Sequence, residues 1–591
     1  MLADQQIKNK KKQYQYSIFL GILFFILIAQ LFYLQVYKQA IYLKASENNR
    51  IRQVILKSTR GLILDRNGEV LVDNHPSYSV YATPFEVQDA DTVLRLISRI
   101  LNIESEEISK IIKEKQAGYF TPVRLKRHID FSTLSKIEEY KLDLPGISIQ
   151  NDPKRYYPSG VRAPHLFGYL GELTREEYES RKKQGIKFGE IVGKKGLEMI
   201  YDTELRGVNG YRYVEVDVLG REIKRLSDKR ELLDVPGQNL HLTIDAGLQK
   251  FLESRMDTIR GGAIAVDCET GGILALVSKP DYDPDIFSKP LSEDIWNSLL
   301  SDQNKPLYDR MVQSLYPPGS TFKLVLAAAA LEKGIITPER TETCVGFYRL
   351  GTKTYDCWKK EGHGELDLLG AIEQSCNVYF YTLGLKTGQD IWAEYSKKFL
   401  FDKPTGIDLM AENSGLVPDR EYLDKKYGKN KWSRGLIANQ AIGQGDLLVT
   451  PLQMLRFTMI LANDGFYHKP HVVNFREDVI SNKKEWTEIE TKKIPDISEK
   501  TYKILKEGMR RVVQGERGTA KGARCSGLEV AGKTGTAENP HGEPHAWFLG
   551  FAPFDKPKIA LCILIENGGS GGAVAAPLGG DVIRYFFNSI N

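Results

Sequence analysis

The most informative stretch of this sequence is Tyr316-Pro317-Pro318-Gly319-Ser320-Thr321-Phe322-Lys323-Leu324, which runs on into an Ala- and Leu-rich segment at 325–331. Proline and glycine disfavour a helix interior, whereas the following segment favours a helix and Gly334 can end it. A helix is therefore predicted to open at Ser320. Because residues three apart share a helix face, the amine of Lys323 is expected close to the Ser320 hydroxyl.

Ser320 and Lys323 form a candidate pair of nucleophile and base. A serine hydroxyl needs a neighbour that takes its proton, and a lysine can do so when burial or a second cation lowers its pKa. The Ser-x-x-Lys pattern alone is a weak signal, since it also occurs at Ser180 and Ser481. A helix start with a solvated lysine explains an isolated copy equally well.

Two later motifs strengthen the catalytic interpretation. Ser375-Cys376-Asn377 and Lys533-Thr534-Gly535 follow Ser320 in an order and at separations that suit one domain, whereas the Lys-Thr-Gly at 386–388 lies too close to Ser375. Ser-x-x-Lys, a Ser-Asp-Asn-like tripeptide and Lys-Thr-Gly together are the signature of penicillin-binding proteins and class A β-lactamases. The chain therefore resembles these serine enzymes, with Ser320 as the predicted nucleophile.

Length and composition set the limits for the whole chain. Its 591 residues suggest about three or four domains, and 42% hydrophobic residues allow substantial cores. Charged residues make up 27% with both signs mixed, and the net charge is only +5. This balance argues against a nucleic-acid-binding protein.

The N-terminus carries a predicted membrane anchor. Four lysines at positions 8, 10, 11 and 12 precede an uncharged apolar segment that is longer than a signal-peptide core. Residues 16–37 are therefore predicted to form a single transmembrane helix. The lysines predict that the tail 1–15 is cytoplasmic, which places everything after Lys38 outside the inner (cytoplasmic) membrane. A cleaved signal peptide is the alternative.

The segment after the anchor makes the resemblance more specific. Its sequence is Arg60-Gly61-Leu62-Ile63-Leu64-Asp65-Arg66-Asn67-Gly68, in which Asp-Arg-Asn-Gly is typical of a hairpin turn. Such a segment outside one N-terminal anchor, with the three motifs far downstream, resembles the class B penicillin-binding proteins. The resemblance implies an elongated pedestal (dimerisation-like) region at 38–237 with an inserted head or anchor subdomain at about 80–155. Acidic motifs like those of glycosyltransferases are lacking, which favours class B over the bifunctional class A.

A further domain is predicted at 238–591, because Val235-Pro236-Gly237-Gln238 marks a change of composition. Strands are predicted at 240–245, in a hairpin at 262–277 and after Leu528, with a helical stretch from Ser320 to about Arg456 between them. This order predicts a central antiparallel sheet flanked by helices, and the resemblance identifies it as the penicilloyl-serine transferase (transpeptidase) fold. The chain as a whole is expected to be a multidomain α+β protein.

Chemistry suggests a role for each residue of the three motifs. Ser320 attacks the carbonyl of a D-alanyl-D-alanine stem peptide, and Lys323 acts as the base. Lys533, at the sheet edge, is expected to keep Lys323 neutral and to provide a positive field for a substrate carboxylate. Ser375 is predicted to relay a proton to the leaving amine, and Asn377 to hold the peptide amide.

The Lys-Thr-Gly strand is also expected to bind substrate. Thr534 and Thr536 offer hydroxyls to the carboxylate, and Gly535 lets the substrate backbone approach the strand. The resemblance implies an oxyanion hole formed by the backbone N–H groups of Ser320 and Thr536. No cofactor is expected for the chemistry itself.

Three cysteines and a histidine in one window form a candidate metal site: Cys344, Cys357, His363 and Cys376. Three thiolates and an imidazole suit a closed tetrahedral zinc site, with Asp356 as a possible substitute ligand. The segment Cys357-Trp358-Lys359-Lys360-Glu361-Gly362-His363-Gly364 resembles the elongation-type group of class B, penicillin-binding protein 2, some members of which carry a metal there. A structural zinc would brace the Ser375 turn from behind. A disulfide and free thiols are the alternatives.

The sequence therefore predicts a membrane-anchored peptidoglycan D,D-transpeptidase that cross-links stem peptides of lipid-linked nascent glycan during elongation and is acylated by β-lactams. The family implies a polytopic glycosyltransferase partner of the shape, elongation, division and sporulation type. The alternatives are a septal class B transpeptidase, a β-lactam sensor and a non-catalytic scaffold. A β-lactamase is disfavoured, because no dedicated acidic residue for a deacylating water follows Ser375-Cys376-Asn377.

Overall fold

The fold is that of a computed structural model, which describes residues 2–39, 51–87, 91–116, 118, 121–181, 186, 189–216, 222–226, 231–288 and 291–590. The described residues form a mixed α+β structure that divides into two compact units. The first unit comprises Met1–Ser58, Ser79–Gln150 and Val208–Val235, and the second Thr59–Tyr78, Asn151–Gly207 and Pro236–Asn591.

The helices and strands are numbered in chain order. The α-helices are α1 (Leu2–Phe32), α2 (Pro84–Val87), α3 (Asp91–Leu101), α4 (Ser105–Lys115), α5 (Phe131–Glu139), α6 (Pro164–Phe167), α7 (Arg175–Arg181), α8 (Gly196–Ile200), α9 (Asp202–Arg206), α10 (Ala246–Arg255), α11 (Glu293–Ser301), α12 (Lys323–Glu332), α13 (Leu368–Glu373), α14 (Asn377–Thr387), α15 (Gln389–Lys398), α16 (Arg420–Tyr427), α17 (Arg434–Ala441), α18 (Pro451–Ala462), α19 (Glu499–Gln514) and α20 (Ala576–Ile590). The strands are β1 (Ile51–Leu56), β2 (Ile63–Leu64), β3 (Val70–His75), β4 (Tyr78–Ala82), β5 (Val123–Ile129), β6 (Ile147–Asn151), β7 (Lys154–Tyr156), β8 (Leu170–Glu172), β9 (Ile191–Gly193), β10 (Gly210–Val216), β11 (Glu222–Leu226), β12 (Asn239–Leu242), β13 (Gly261–Asp267), β14 (Ile273–Lys279), β15 (Glu342–Cys344), β16 (Phe347–Leu350), β17 (Lys353–Asp356), β18 (Gly364–Leu366), β19 (Phe466–His468), β20 (Val473–Glu477), β21 (Lys484–Trp486), β22 (Thr491–Lys493), β23 (Ala531–Ala537), β24 (His545–Ala552) and β25 (Ile559–Ile565).

The N-terminal helix α1 continues into a π-helical turn, Tyr33–Tyr37. Within them the segment Tyr14–Tyr37 is long and apolar enough to cross a membrane, and its large apolar side chains are exposed. Apolar side chains along such a length are stable in hydrocarbon and costly in water. The helix therefore agrees with the membrane anchor predicted at 16–37.

The first unit holds two three-stranded sheets, in the orders β1-β10-β11 and β5-β4-β6. The second of these sheets packs with α3, α4 and α5 around a small core that includes Val80, Ile97, Ile108 and Ile137. The head subdomain predicted at about 80–155 overlaps this body. Its limits, like the other predicted domain boundaries, stay predictions.

The second unit contains a six-stranded sheet in the order β21-β20-β12-β2-β3-β7. The β2–β3 hairpin turns at Gly68, which has a φ of +88°, and Asp65 Oδ1 accepts hydrogen bonds from the backbone N–H groups of Asn67 and Glu69. The predicted Asp-Arg-Asn-Gly hairpin is thus confirmed. Strand β12 is shorter than the predicted 240–245, and it pairs with β2 and β20 rather than joining the central sheet.

The buried charges of Arg155, Glu198 and Asp202 form one cluster in this unit with Arg60, whose side chain is 11% exposed. Arg60 Nε donates to Glu198 Oε2 at 2.6 Å, and Arg155 Nε donates to Glu198 Oε1 at 2.7 Å. Burial alone raises the pKa of Glu198, but the two guanidiniums hold it below its ordinary value. The cluster therefore joins three distant chain segments through one ionised carboxylate.

Replacing Glu198 with glutamine is expected to destabilise the protein by about 3 kcal/mol, because the buried Arg155 charge loses its counter-charge. Thermal unfolding of the detergent-solubilised chain measures the change. The control is Glu69→Gln, which breaks the half-exposed Lys250–Glu69 pair at 2.8 Å and should cost less than about 1 kcal/mol. Equal effects of the two substitutions would contradict the ion-pair explanation.

The main core of the second unit surrounds a five-stranded antiparallel sheet in the order β14-β13-β25-β24-β23. All seven residues of the central strand β25 are buried, and helices α10, α18, α19 and α20 pack against the sheet. A strand buried along its whole length needs cover on both faces. The predicted central antiparallel sheet flanked by helices is therefore confirmed.

The region from Ser320 to Arg456 contains helices α12 to α17 and the start of α18, but more than half of its residues lie outside these helices. Strands β15 and β18 pair, as do β16 and β17, and these two small sheets occupy 342–366. Gly346, Gly351, Gly362 and Gly364 all have positive φ in this stretch, a conformation that a right-handed helix excludes. The prediction of one continuous helical stretch is wrong here.

Candidate active site

The motif turn that carries Ser320 is held tightly against the rest of the site. Residues Gly319–Phe322 form a 3₁₀ turn, and α12 begins at Lys323, three residues later than predicted. Gly319 has a φ of +58°, its N–H donates to Gly443 O at 2.9 Å, and a Cβ there would lie 2.8 Å from Thr536 O. The positive φ and the close contact with Thr536 O both require glycine at this position. Because a positive φ is incompatible with an α-helix, the turn precedes the regular helix as a 3₁₀ turn.

The Lys-Thr-Gly motif lies on β23, at the edge of the central sheet and next to this turn. A Cβ on Gly535 would come within 3.0 Å of Pro318 O. The absence of a side chain at Gly535 therefore lets the strand approach the serine turn. Trp547 on the neighbouring β24 fixes the other side, because its Nε1–H donates to Pro317 O at 3.1 Å.

Ser375 lies in the turn between α13 and α14 and has an unusual backbone. Its φ is +52°, a left-handed conformation that costs a non-glycine residue about 1 kcal/mol or more. Asn377 is the first residue of α14, so the turn ends there. The strained turn presents the Ser375 side chain to the two motif lysines.

Lys323 and Lys533 converge on Ser375 Oγ. Lys533 Nζ donates to it at 2.9 Å, and Lys323 Nζ lies 3.4 Å from it. Lys323 Nζ also donates to Ser375 O at 2.8 Å and to Asn377 Oδ1 at 2.7 Å. The three motifs that are far apart in sequence therefore meet at one hydroxyl.

Both lysines are fully buried, and this changes their proton affinity. Burial lowers the pKa of Lys323 to about 8. Burial, together with the nearby Lys323 charge, lowers the pKa of Lys533 well below its ordinary value. Two ammonium groups that share one hydroxyl disfavour each other, so one of the amines is readily neutral near neutral pH.

The Ser320 side chain is half-buried at this site. In the described part of the chain its Oγ has no hydrogen-bond partner, because the Lys323 amine is turned toward Ser375 and Asn377 instead. The Ser320 hydroxyl and the Lys323 amine therefore form no hydrogen bond in this structure, and the proximity expected for them stays a prediction. Such bonds are often long in a free enzyme and tighten with substrate.

The two threonines of the strand have different surroundings. Thr534 is buried, and its hydroxyl is hydrogen-bonded to that of Thr519 at 2.7 Å. Thr536 is exposed, and its Oγ1 lies 3.5 Å from Gly571 N. Thr519 was missed by sequence reasoning, because only tertiary pairing brings it to the motif. The predicted substrate-binding roles of Thr534, Gly535 and Thr536 stay predictions.

The predicted metal ligands also come together. The ligand atoms of Cys344, Cys357, His363 and Cys376 all lie within 4.8 Å of one another, and all four residues are buried. His363 Nδ1 is 3.5 Å from the Sγ atoms of both Cys344 and Cys357. The six cysteines of the chain are unpaired. Asp356, the predicted substitute ligand, is exposed and lies outside this group.

This thiol–imidazole cluster is joined to the Ser375 turn. Cys376 itself links Ser375 to Asn377, and its Sγ accepts from Tyr379 N at 3.5 Å. Trp358 Nε1–H donates to Gln374 O at 3.0 Å, and Asn377 Nδ2 donates to Asp356 O at 3.4 Å. The loop that carries the cluster is therefore joined to the Ser375 turn by hydrogen bonds at Gln374 and Asn377.

Two known protein families match this chain. The profile of the family described as "Penicillin binding protein transpeptidase domain" matches residues 261–584, and that described as "Penicillin-binding Protein dimerisation domain" matches residues 55–242. The peptidoglycan D,D-transpeptidase MrdA of Haemophilus influenzae is 33% identical over 600 residues, which cover 96% of this chain and 91% of the relative.

Solved structures of penicillin-binding proteins have a similar fold. A chain from the complex between penicillin-binding protein PBP2 and MreC of Helicobacter pylori has a TM-score of 0.80 and 29% identity, covering 92% of this chain and 100% of its own. A chain from a peptidoglycan synthase complex that coordinates polymerization and crosslinking has a TM-score of 0.71 and 28% identity, covering 98% of each chain. The protein therefore belongs to the class B penicillin-binding proteins, in the penicillin-binding protein 2 group that includes MrdA.

Proposed function

We infer that the protein is a membrane-anchored peptidoglycan D,D-transpeptidase of the elongation type, which works through a serine acyl-enzyme and is acylated by β-lactams. The observation that carries this function is the meeting of the buried Lys323 and Lys533 amines at Ser375 Oγ, beside the Ser320 turn. Family membership and the MrdA relatives support the same activity.

In the acylation step Ser320 Oγ bonds to the carbonyl carbon of the penultimate D-alanine, and the bond to the terminal D-alanine breaks. A neutral Lys323 amine can donate its two N–H groups to Ser375 O and Asn377 Oδ1, which leaves its lone pair for the Ser320 proton. Ser375 Oγ, in contact with both amines, passes a proton to the leaving nitrogen. Released D-alanine then departs as the free amino acid.

In the second step the amine of another stem peptide attacks the acyl-enzyme carbonyl. The Ser320 ester bond breaks, a new amide cross-links the two peptides, and the amine proton returns to Ser320 Oγ by way of Lys323. Lys533 is placed to offset the charge of a substrate carboxylate, since its fixed position needs no reorganisation during the reaction. Backbone N–H groups of Ser320 and Thr536 would complete the site as oxyanion donors.

A stable penicillin adduct tests this function. Brief incubation of the detergent-solubilised chain with a penicillin should give one covalent adduct, seen by intact mass and mapped to Ser320, that persists after the free drug is removed. A β-lactamase would release it within seconds, because its site activates a hydrolytic water. Rapid recovery of unmodified protein, or a lasting failure to label, would contradict the proposed function.

The arrangement at the membrane follows from the anchor. The lysines at 8, 10, 11 and 12 favour a cytoplasmic N-terminus, with the catalytic part on the outer side of the inner membrane, in the periplasm where an outer membrane exists. A polytopic glycosyltransferase of the shape, elongation, division and sporulation type is the proposed partner. Structural relatives from a PBP2–MreC complex and from a peptidoglycan synthase complex support assembly with other proteins.

A structural zinc is proposed for the four-residue cluster Cys344, Cys357, His363 and Cys376. In a tetrahedral zinc site, a thiolate sulfur and an imidazole nitrogen are about 3.6 Å apart. The 3.5 Å separations of His363 Nδ1 from the two sulfur atoms fit this value. A bound zinc would supply stability to the loop behind Ser375 and take no part in the chemistry.

Metal analysis of the purified protein should find about one zinc per chain, and Cys344→Ser should lose most of it together with part of the thermal stability. The matched control is Cys525→Ser, because Cys525 lies outside the cluster and is only half-buried. Wild-type protein that lacks metal and contains a disulfide among the three cluster cysteines would refute the zinc site.

A further inference from the structure

Six exposed cations from two separate segments form a surface that we call the basic rim: Arg349, Lys353, Lys425, Lys429, Lys431 and Arg434. The first two belong to the β16–β17 hairpin, and the other four to the stretch 425–434, which contains no acidic residue. Within the described residues, none of the six takes part in an ion pair. Like charges on one surface repel each other, so these six cations do not account for the stability of the fold.

The β16–β17 hairpin contacts the first turn of α17, directly after the stretch 425–434. Gly435, next to Arg434, packs so closely on Tyr355 that a Cβ would lie 2.2 Å from the tyrosine oxygen. Tyr355 is buried together with Tyr381 and Ala438, which seats the hairpin on α14 and α17. Lys353 Nζ lies 5.0 Å from the centre of the Tyr355 ring. The cations of hairpin and loop therefore share one side of the second unit.

Four acidic residues lie near the rim: Asp424, Asp446, Asp356 and Glu538, the last two close enough to Tyr381 to add to the rise that burial causes in the pKa of its hydroxyl. Asp424 Oδ1 accepts from Asn430 N and from Trp432 Nε1, and Asp446 accepts from Lys426 Nζ at 2.6 Å and from the Tyr427 hydroxyl at 3.0 Å. Asp356 is the only acidic residue of the hairpin 347–356. Lys429 acts on Asp424 and Lys426 pairs with Asp446, so the six rim cations still outnumber the acidic groups around them.

The basic rim adjoins the catalytic cleft at Asn377. Tyr355 precedes Asp356, and the backbone carbonyl of Asp356 accepts from Asn377 Nδ2 at 3.4 Å and from the Tyr381 hydroxyl at 3.2 Å. Helix α17, which starts at Arg434, leads to Gly443, whose carbonyl accepts from Gly319 N beside Ser320. A long substrate leaving the cleft on the Asn377 side therefore reaches the rim.

We propose that the basic rim binds the carboxylates of the peptidoglycan strand whose stem peptides enter this site. The proposal rests on the proposed function and adds a binding surface to it. Each uncross-linked stem peptide ends in a carboxylate, so a strand that carries many of them is a polyanion. Exposed lysines and arginines attract such a polymer without a fixed register, and salt screens the attraction. A small β-lactam occupies only the pocket at Ser320 and does not need the rim.

The test compares two full-length variants with the same loss of charge. The rim variant combines Lys425→Gln, Lys429→Gln, Lys431→Gln and Arg434→Gln. The control variant combines Lys484→Gln, Lys500→Gln, Lys503→Gln and Lys556→Gln, all at exposed lysines elsewhere. Binding is measured with purified uncross-linked peptidoglycan strands, and with the same strands after amidation of their carboxylates. The rate of penicillin labelling at Ser320 is measured in parallel.

At low salt the rim variant should bind native strands about tenfold more weakly than wild type, while the control variant differs by less than about twofold. Amidation should weaken strand binding more in wild type than in the rim variant, because the rim variant keeps only the carboxylate contact expected at Lys533, and high salt should remove this difference. Penicillin labelling should be equal in all three proteins. Normal strand binding by the rim variant, an equal loss in the control variant, or no effect of amidation would each overturn the proposal. Absent labelling with intact carboxylate-dependent binding would instead contradict the proposed function and support the rim.

Discussion

Replacement of Ser320 by alanine is expected to abolish the covalent penicillin adduct and to lower cross-linking by roughly a million-fold, the loss typical of removing a serine nucleophile. The reason is that the two other motif hydroxyls near the site, those of Ser375 and Thr534, are already engaged. Ser375 Oγ is occupied by the Lys533 amine at 2.9 Å, and Thr534 is paired with Thr519. Intact mass after incubation with penicillin gives the result directly.

The chain contains its own control for this experiment. Ser481 also begins a Ser-x-x-Lys pattern, but its hydroxyl donates to Asp478 in an exposed turn. Ser481→Ala should therefore label like wild type. Thermal unfolding establishes whether the Ser320→Ala variant is folded. Persistent labelling of the folded variant at any serine would show that the nucleophile has been assigned wrongly.

Replacement of Lys323 by methionine is expected to slow acylation by about a thousand-fold, the range for loss of a general base. Methionine is also unbranched, so it fills the buried space without a charge that needs solvation. Stability should stay close to that of wild type. The control is Lys333→Met at the C-terminal cap of the same helix, because Lys333 is exposed and pairs with Glu394. Stopped-flow acylation with a chromogenic β-lactam measures both.

The pH dependence gives this substitution a sharper test. Burial lowers the pKa of Lys323 to about 8, so the neutral fraction of its amine rises as the pH increases through that value. The acylation rate of wild type should therefore increase about tenfold per pH unit below 8 and level off above it. In the Lys323→Met variant the acylation rate should no longer rise with pH in this range. A variant that keeps the wild-type profile would show that another group, such as Lys533, accepts the proton.

Motif spacing pointed to Ser320, Lys323, Ser375, Asn377 and Lys533, and in the fold hydrogen bonds join the side chains of the last four of them. Motif spacing did not predict the hydrogen-bond partners of the Lys323 amine. Residues three apart on a helix are neighbours, but side-chain torsions decide where a long side chain ends. Ser320 also lies on a 3₁₀ turn instead of the helix. The amine therefore reaches Ser375 and Asn377, and the roles assigned to these residues stay predictions until they are tested.

The region 342–366 shows a second limit. Its four short strands were included in a helical stretch, because segments of three or four residues carry too little periodicity to be recognised. Its cysteines and histidine were nevertheless selected correctly as neighbours, since their side-chain chemistry alone suggests a common site. The exposure of Asp356, by contrast, follows from its position at the end of β17 and could not be read from the sequence.

The sequence by itself determined the family, the anchor helix, the β2–β3 hairpin and the central antiparallel sheet, because motif order, apolar length and turn residues act locally. Tertiary structure alone decided the ion-pair cluster of Arg60, Arg155 and Glu198, the pairing of Thr519 with Thr534, and the contact of the β16–β17 hairpin with the first turn of α17. These contacts join residues that are 15 or more positions apart. The energies of these contacts depend on the distances between the residues and on their burial in the folded chain. A local sequence pattern contains neither quantity.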